Sequence, residues 1–327
     1  MLAAWYDRLG PAREVLVMGE RPKPEPGPRE ALIRIQASGV NPSDVKSRAG
    51  RAGPMLYPRI TPNSDGAGVV EAVGHLVPPG LMGQRVWFYN GQRNGRAFGS
   101  AAEYIELDAE LLRVLPGNVS FAEGATLGIP AMTAHLCLFI AGPVQGRNVL
   151  VTGGAGAVGH YAVQLAKWAG ASVAATVSSE EKAVRARAAG ADHIINYRNE
   201  DVADRLTAVF GPQGLDHVVD VDFGGNLAKL LPVMRPGGSI AFYATDTDPA
   251  PPVPGFAMMR GNLSLHGVVL PTSRPELRRR AQDDITHWIS TGERRLSVAS
   301  THPLTQIAMA HEAVERGDKA GTVVVTV

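Results

Sequence analysis

One cysteine in 327 residues, Cys137, excludes an intrachain disulfide and any zinc cluster built on paired cysteines. No apolar run reaches the ~20 residues that cross a bilayer. The opening "MLAAWYDRLG" lacks the basic start, long apolar stretch and small-residue cleavage site of a secretory leader. A cytoplasmic protein off the membrane is expected. Charge of one sign is also lacking. Thirty-two Lys and Arg face 31 Asp and Glu, so no basic excess waits for nucleic-acid phosphates. No stripe interleaves basic and aromatic residues, which argues further against a nucleic-acid binder. The nine histidines are scattered, without metal-ligand spacing.

What is there is ordinary for a globular chain: 45% hydrophobic and 19% charged residues. The length exceeds what one core usually serves, so two domains are expected. Up to about residue 120, short β-like runs ("ALIRIQASGV", "GAGVVEAVG", "QRVWFY", "AEYIEL") alternate with Pro and Gly. That spacing predicts a compact antiparallel domain. "RPKPEPGPRE" reads as a surface connection within it. From there to about 265 the rhythm becomes strand, helix, strand, helix: "NVLVT", "AVGHYAVQLAKWAG", "ASVAATV", "SSEEKAVRARAAG", "DHIINY", "EDVADRLTAVFG", "LDHVVDV". Such alternation predicts a parallel sheet with helices on both faces. Gly170, Gly190 and Gly211 stand where helix C-termini are expected. The tail holds an amphipathic helix ("PELRRRAQDDITHWIS"), a shorter one and a last β run ("GTVVVTV"). Too small for a core of its own, it is expected to pack on the first domain. The expected bounds are 1–122 with 266–327 for the β-rich domain and 123–265 for the α/β domain.

The bend "VTGGAGAVG" carries most of the chemistry. Gly154, Gly156 and Gly159 satisfy G-x-G-x-x-G, and Gly153 adds a fourth glycine. The motif lies between a predicted strand and a predicted helix, where a dinucleotide site requires it. Glycines turn the chain sharply and let main-chain N–H groups approach a pyrophosphate, and the helix N-terminus adds its dipole. Gly153, Gly154, Ala155, Gly156, Ala157, Val158 and Gly159 are the candidate cradle. The bland reading is a glycine-rich turn before a helix, and three further βα units behind it weigh against that.

An NAD site usually places an acid at the tip of the next strand. Here the tip is Ser178 and Ser179, with Lys182 one turn later. Small hydroxyls and a cation suit a 2′-phosphate, which a carboxylate would repel. Ser178 or Ser179 also suits a helix cap, and both roles are compatible. Tyr197 and Arg198 end the third strand on the same edge. Glu180 and Glu181 count against the 2′-phosphate, but the balance of charge favours NADPH over NADH.

At this point the chain resembles the zinc-free quinone oxidoreductase (zeta-crystallin-like) family of the medium-chain dehydrogenase/reductase superfamily. The resemblance rests on "ASGVNPSDVKSRAG", "PNSDGAGVVEAVG", "GSAAEYIEL", "GATLGIPAMTAHLCL", "VTGGAGAVGHYAVQLAK", "AGADHIINYR" and "LTQIAMAHEAVERGDKAGTVVV", and covers nearly the whole chain. It implies an α/β fold: a Rossmann doubly wound parallel sheet inserted in a GroES-like, mainly antiparallel β domain, with the cofactor in the cleft between them. It implies NADPH-dependent reduction of quinones or α,β-unsaturated carbonyls, small hydrophobic electrophiles as substrates, and homodimers or homotetramers joined through the strand in "LSLHGVVL". Metal-binding relatives place a cysteine at Asn41 and a His-Glu pair at Ser64 and Asp65, so no metal is expected. Cys137, in "HLCLF", reads as a buried filler.

Carried over residue by residue, the resemblance implies three catalytic candidates. Asn41 donates its amide to the nicotinamide ribose or a substrate oxygen, unless it merely starts a turn before Pro42. Thr133 lies near the nicotinamide, unless its hydroxyl is bonded to its own helix. Lys46 stands where many relatives have tyrosine. With Arg48 nearby it either draws an anionic substrate or belongs to a solvated basic face. Tyr243, after the fifth strand, and Val268 and Val269, at the end of "LSLHGVVL", complete the cofactor candidates. Ala244 replaces a frequent glycine, and Lys319 is the nearest basic residue to an arginine that some relatives use. Other readings stay open: an enoyl-thioester reductase with a basic patch at Arg274 and Arg278 to Arg280, or a protein that binds NADPH with little turnover.

Overall fold

The short apolar runs near the start form β1 (Leu2–Trp5), β2 (Val17–Glu20), β3 (Glu30–Val40), β4 (Asp65–Val73), β5 (Arg85–Phe88), β6 (Tyr104–Asp108) and β7 (Leu112–Val114). The alternating region forms β8 (Asn148–Val151), β9 (Ser172–Val177), β10 (His193–Asn196), β11 (Leu215–Asp220), β12 (Met234–Phe242) and β13 (Ser264–Gly267). β14 (Val298–Pro303) and β15 (Thr322–Thr326) close the chain. The structure, a computed structural model, describes every residue except Arg93, Asn94, Asp318 and Lys319, so Lys319 lies outside the described residues. Among the described residues no helix is long and apolar enough to cross a membrane.

The chain folds as two units. The first holds Met1–Pro130, Gln282–Thr291 and Leu296–Val327; the second holds Ala131–Ala281 and Gly292–Arg295. In the first, the sheet order is β14-β15-β3-β4-β5-β7, with β6 also on β3 and β1-β2 as a separate ribbon. Every pair is antiparallel except β14 with β15. Ile33 and Ile35 alternate with exposed Arg34 and face a core of Val70, Val86, Phe88, Ile105 and Leu107. This is the GroES-like sheet. The last strand, β15, pairs with β3, Val323 opposite Val40.

The second unit is a six-stranded, wholly parallel sheet in the order β10-β9-β8-β11-β12-β13. Its strands are continuous apolar runs because helices bury both faces; Val149, Leu150, Val173 and Val218 are fully buried. The order reverses between β8 and β11, which is where open α/β sheets bind ligands. This is the Rossmann sheet. The unit bounds differ from the expected ones for local reasons. The helix Phe121–Gly124 and Ala125 pack with Ala37 and Val324, and so stay with the first unit. Residue 265 falls inside β13, which keeps register with β12 through Gly267. β13 is also shorter than "LSLHGVVL", because Val269 leads into the turn Leu270–Thr272.

Candidate active site

The glycine bend follows β8 and opens the helix Ala157–Trp168. Gly153 has φ +63°, a left-handed conformation that favours glycine. A Cβ on Gly154 would stand 2.7 Å from the Ala175 Cβ, and one on Gly159 would stand 2.2 Å from the Gly153 carbonyl oxygen. Those two glycines therefore serve close packing of strand, bend and helix. Gly156 is different: its nearest neighbour would be the Gly153 oxygen at 3.3 Å, with no side chain in reach. It is the N-cap of the helix, with no side-chain cap and no acid in the first turn. The first N–H groups of a helix have no partner inside it, so this end suits an anion. The close approach that the sequence expects of the bend as a whole has room at Gly156 and none at Gly154 or Gly159.

Beyond the tip of β9, Ser179 caps the helix Glu180–Ala188, its Oγ accepting from the Lys182 N–H at 3.3 Å. The Lys182 ammonium donates to Ser178 Oγ at 3.0 Å. Hydroxyl and cation thus stand together where the diol-binding acid of an NAD site would be. Glu180 is turned to Arg187 at 2.6 Å. Tyr197, 51% exposed, follows β10 with its N–H on the Val177 carbonyl.

A cleft of about 530 Å³ runs along these strand ends, lined by Thr152, Gly153, Thr176, Tyr197, Asp222 and Asn226 among others. Asp220, at the end of β11, anchors its floor. Its Oδ1 accepts from Thr152 Oγ1 at 2.6 Å and Asn226 Nδ2 at 2.8 Å, and its Oδ2 is buried without a partner. Burial raises its pKa, and the donors from Thr152 and Asn226 oppose that rise. The Tyr243 N–H bonds the Asp220 carbonyl, and desolvation pushes the Tyr243 phenol well above its usual range. Val268 is buried and bonded to the Phe242 carbonyl, whereas Val269 is 60% exposed. Thr133 is buried in the helix Met132–Phe139.

In the β-rich unit, Asn41 caps the helix Pro42–Arg48. Asp44 reaches back to its N–H at 2.9 Å. The Asn41 amide donates to Asp65 Oδ2 at 2.7 Å, which also accepts from the Ile129 N–H at 2.7 Å. Ser64 donates to Asp44 Oδ1 at 3.1 Å. Lys46, on the same helix, lines a separate pocket. Arg48 does not join it. Arg48 is fully buried, donating to Glu315 and to the Gly10 carbonyl. Its part in drawing an anionic substrate is withdrawn, because the 3.6-residue turn puts it on the core side of the helix.

Comparisons with known proteins agree with this fold. Residues 27–117 match the family model described as alcohol dehydrogenase GroES-like domain, and residues 157–285 the one described as zinc-binding dehydrogenase. Quinone oxidoreductase of Sus scrofa is 30% identical, over 89% of this chain and 87% of its own. The chain belongs to the quinone oxidoreductase family. A 2-haloacrylate reductase of Burkholderia sp is 32% identical over 91% of each chain. The structure of Escherichia coli quinone oxidoreductase complexed with NADPH superposes with a TM-score of 0.86 at 25% identity, covering all of both chains.

Within this quinone oxidoreductase family fold, the structure gathers Gly153, Thr176 and Tyr197 on one cleft and sets Ser178, Ser179 and Lys182 together at the tip of β9. Sequence reading missed Thr152, Asp220 and Asn226. The missing signal was strand order: "LDHVVDV" ends on an acid beside the bend only because β11 lies next to β8. Among the described residues no three of His, Cys, Asp and Glu gather as metal ligands.

Proposed function

We propose that this chain reduces the activated double bond of a quinone or an α,β-unsaturated carbonyl compound with NADPH and without a metal ion. Its family makes it an NADPH oxidoreductase. When bound, NADPH supplies a hydride to the conjugated electrophile, the enolate or hydroquinone anion so formed takes a proton, and NADP⁺ is left. The chain's own residues fit that cofactor. The open position at Gly156 and the N–H groups of Ala157 and Val158 receive the pyrophosphate, while Gly153, Gly154, Ala155 and Gly159 hold the bend. Ser178, Ser179 and Lys182 take the 2′-phosphate, and Tyr197 flanks the adenosine. Tyr243, Val268, Val269 and Thr133 border the nicotinamide. Asn41 has two amide hydrogens and Asp65 takes one, so the other serves a ribose hydroxyl or the substrate oxygen. In place of a Lewis acid, alignment of an already conjugated electrophile lowers the barrier. We place the open edge of β13 at the contact between copies in a homodimer or homotetramer.

The observation that carries this reading is the Lys182 ammonium on Ser178 beside the glycine bend, with no acid at the tip of β9. Lys182→Ala is expected to weaken NADPH binding about tenfold, the worth of one hydrogen bond to a charged group, and to leave NADH binding nearly unchanged. Titration of cofactor fluorescence reads both. Equal weakening for the two forms overturns the assignment. NADPH oxidation with a quinone, an enone, a nitroalkene and a crotonyl thioester tests the chemistry. Turnover is expected on the first two, and tight NADPH binding with no turnover on any of the four refutes it.

A further inference from the structure

Asp65 Oδ2 accepts from the Ile129 main-chain N–H at 2.7 Å. A main-chain N–H only donates, so this oxygen is an acceptor. The Asn41 amide therefore turns its NH2 group, not its oxygen, to Asp65, at 2.7 Å. Because the amide is planar, that bond also sets the direction of the second hydrogen. Asp65 is fixed in turn. It is fully buried, and a Cβ on Gly128 would stand 2.2 Å from its Oδ1, so glycine at 128 makes the room that the carboxylate fills. Its main chain ends a directed row of hydrogen bonds. His311 Nε2 donates to Asn63 Oδ1 at 3.1 Å, Asn63 Nδ2 to Ser38 Oγ at 2.9 Å, Ser38 Oγ to Ser100 Oγ at 2.7 Å, and Ser100 Oγ to the Asp65 carbonyl at 2.6 Å. The direction is forced. Ser100 uses its one hydrogen on a carbonyl, so it accepts from Ser38, and each earlier member donates in the same sense. All four side chains are fully buried.

We propose that Asp65 is a positioning residue for the reduction: it holds the Asn41 amide with an N–H presented to the carbonyl oxygen of the substrate. The proposal rests on the reductase reading above and chooses between the two partners open to Asn41 there. A ribose hydroxyl donates and accepts, so it bonds either end of an amide. A carbonyl or enolate oxygen only accepts. A buried carboxylate that fixes the donor end is needed for the second partner and superfluous for the first. As hydride adds to the far carbon of the conjugated system, an electron pair moves onto this oxygen, and a proton then completes the product. Asn41 is only 2% exposed, so its N–H is a desolvated donor, the kind that counts most where charge develops.

The test compares Asp65→Leu with Asp65→Asn in the full chain, with NADPH and cyclohex-2-enone. Both side chains share the forked shape of aspartate, but only asparagine keeps an oxygen for Ile129 and Asn41. Asp65→Leu is expected to cut kcat about 10- to 100-fold, the worth of one hydrogen bond to a charged oxygen, and to leave NADPH binding unchanged. Asp65→Asn should lose far less. In an Asn41→Ala background, which has no amide to hold, Asp65→Leu should have little further effect on kcat, whereas a merely structural role for Asp65 would add its loss in full. An additive loss, or a normal kcat in folded Asp65→Leu, overturns the proposal. If Asp65→Leu does not fold, magnetic resonance of the chain carrying isotope-labelled asparagine decides, with Asn41→Ala to assign the signals. Saturating cyclohexanone, the unreactive product, is added to the NADP⁺-bound chain. It is expected to move one side-chain amide proton of Asn41 and to leave the other, bonded to Asp65, in place. Movement of neither or of both overturns the proposal. A wild type that reduces no quinone or enone sinks the reductase reading itself, whereas normal turnover with an additive cycle sinks the assignment of Asp65 alone.

Discussion

Below pH 6.5 the folded chain is expected to lose stability by about 1.4 kcal/mol per pH unit for each of two buried histidines. His217 lies between Ser239 Oγ at 2.8 Å and the Cys137 carbonyl at 2.9 Å. Burial lowers its pKa to about 4, the two hydrogen bonds resist that fall, and the charges of His266 and Arg147 add to it. His311 is wholly buried with Nε2 facing Asn63 Oδ1 at 3.1 Å. Burial lowers its pKa to about 3, and the Arg48 charge pushes the same way. In the unfolded chain both rings protonate near pH 6.5.

The sign follows from the proton count. Between pH 6.5 and about 4 the unfolded chain binds a proton at each ring that the folded chain refuses. Stability is therefore complete above pH 6.5 and falls as pH falls, until each ring protonates in the folded state as well. His160, held below its usual range by burial, adds in the same direction. Asp220, raised by burial, acts the other way at lower pH. Net stabilities are only about 5–15 kcal/mol, so two pH units remove a large share. Urea midpoints measured from pH 7.5 to 4.5 check this, and His311→Gln should remove about half of the slope. Midpoints that stay level from pH 7 to 5 refute the account.

Neither histidine was legible in the sequence, and the reason is physical. Desolvation depends on what surrounds a ring, and the partners of His311 come from Asn63 and Arg48, more than two hundred residues earlier in the chain. Local features read well. The glycine bend, the hydroxyl tip of β9 and the parallel alternation each depend on residues within a few positions of one another, and period and turn chemistry fix them. Strand order read less well. Asp220 became part of the candidate site only through the adjacency of β8 and β11, and composition carries no trace of that. Arg48 shows the same limit on a helix. Its two-residue distance from Lys46 in "DVKSRAG" looked like a shared charge, but a step of two on a helix points to different faces.

Arg48 gives the second large effect. Arg48→Ala is expected to cost about 2–5 kcal/mol at pH 7.5, the range for truncating a large buried side chain, since Glu315 at the other end of the ion pair is exposed. The guanidinium is fully buried and donates to Glu315 and to the Gly10 carbonyl. The Gly10 N–H in turn donates to the Arg48 carbonyl at 3.2 Å, so the side chain and main chain of Arg48 together tie that loop to its helix. Truncation leaves an empty volume, an unpaired carbonyl and a carboxylate without its cation. The same change removes the cation that opposes a proton on His311. The His311 pKa should then rise part of the way, burial being the larger cause of its fall, and the acid limb of the stability curve should end at a higher pH even as the whole curve drops. Urea midpoints of the variant across the same pH range separate the two effects. A purely mechanical role for Arg48 would lower the curve and keep the pH at which its acid limb ends. A role in substrate recognition would instead change kcat/KM for a quinone or an enone and spare the midpoint. A lower midpoint, an acid limb that ends at a higher pH and an unaltered kcat/KM are the outcome that the hydrogen bonds of Arg48 to Glu315 and Gly10 and its charge near His311 require.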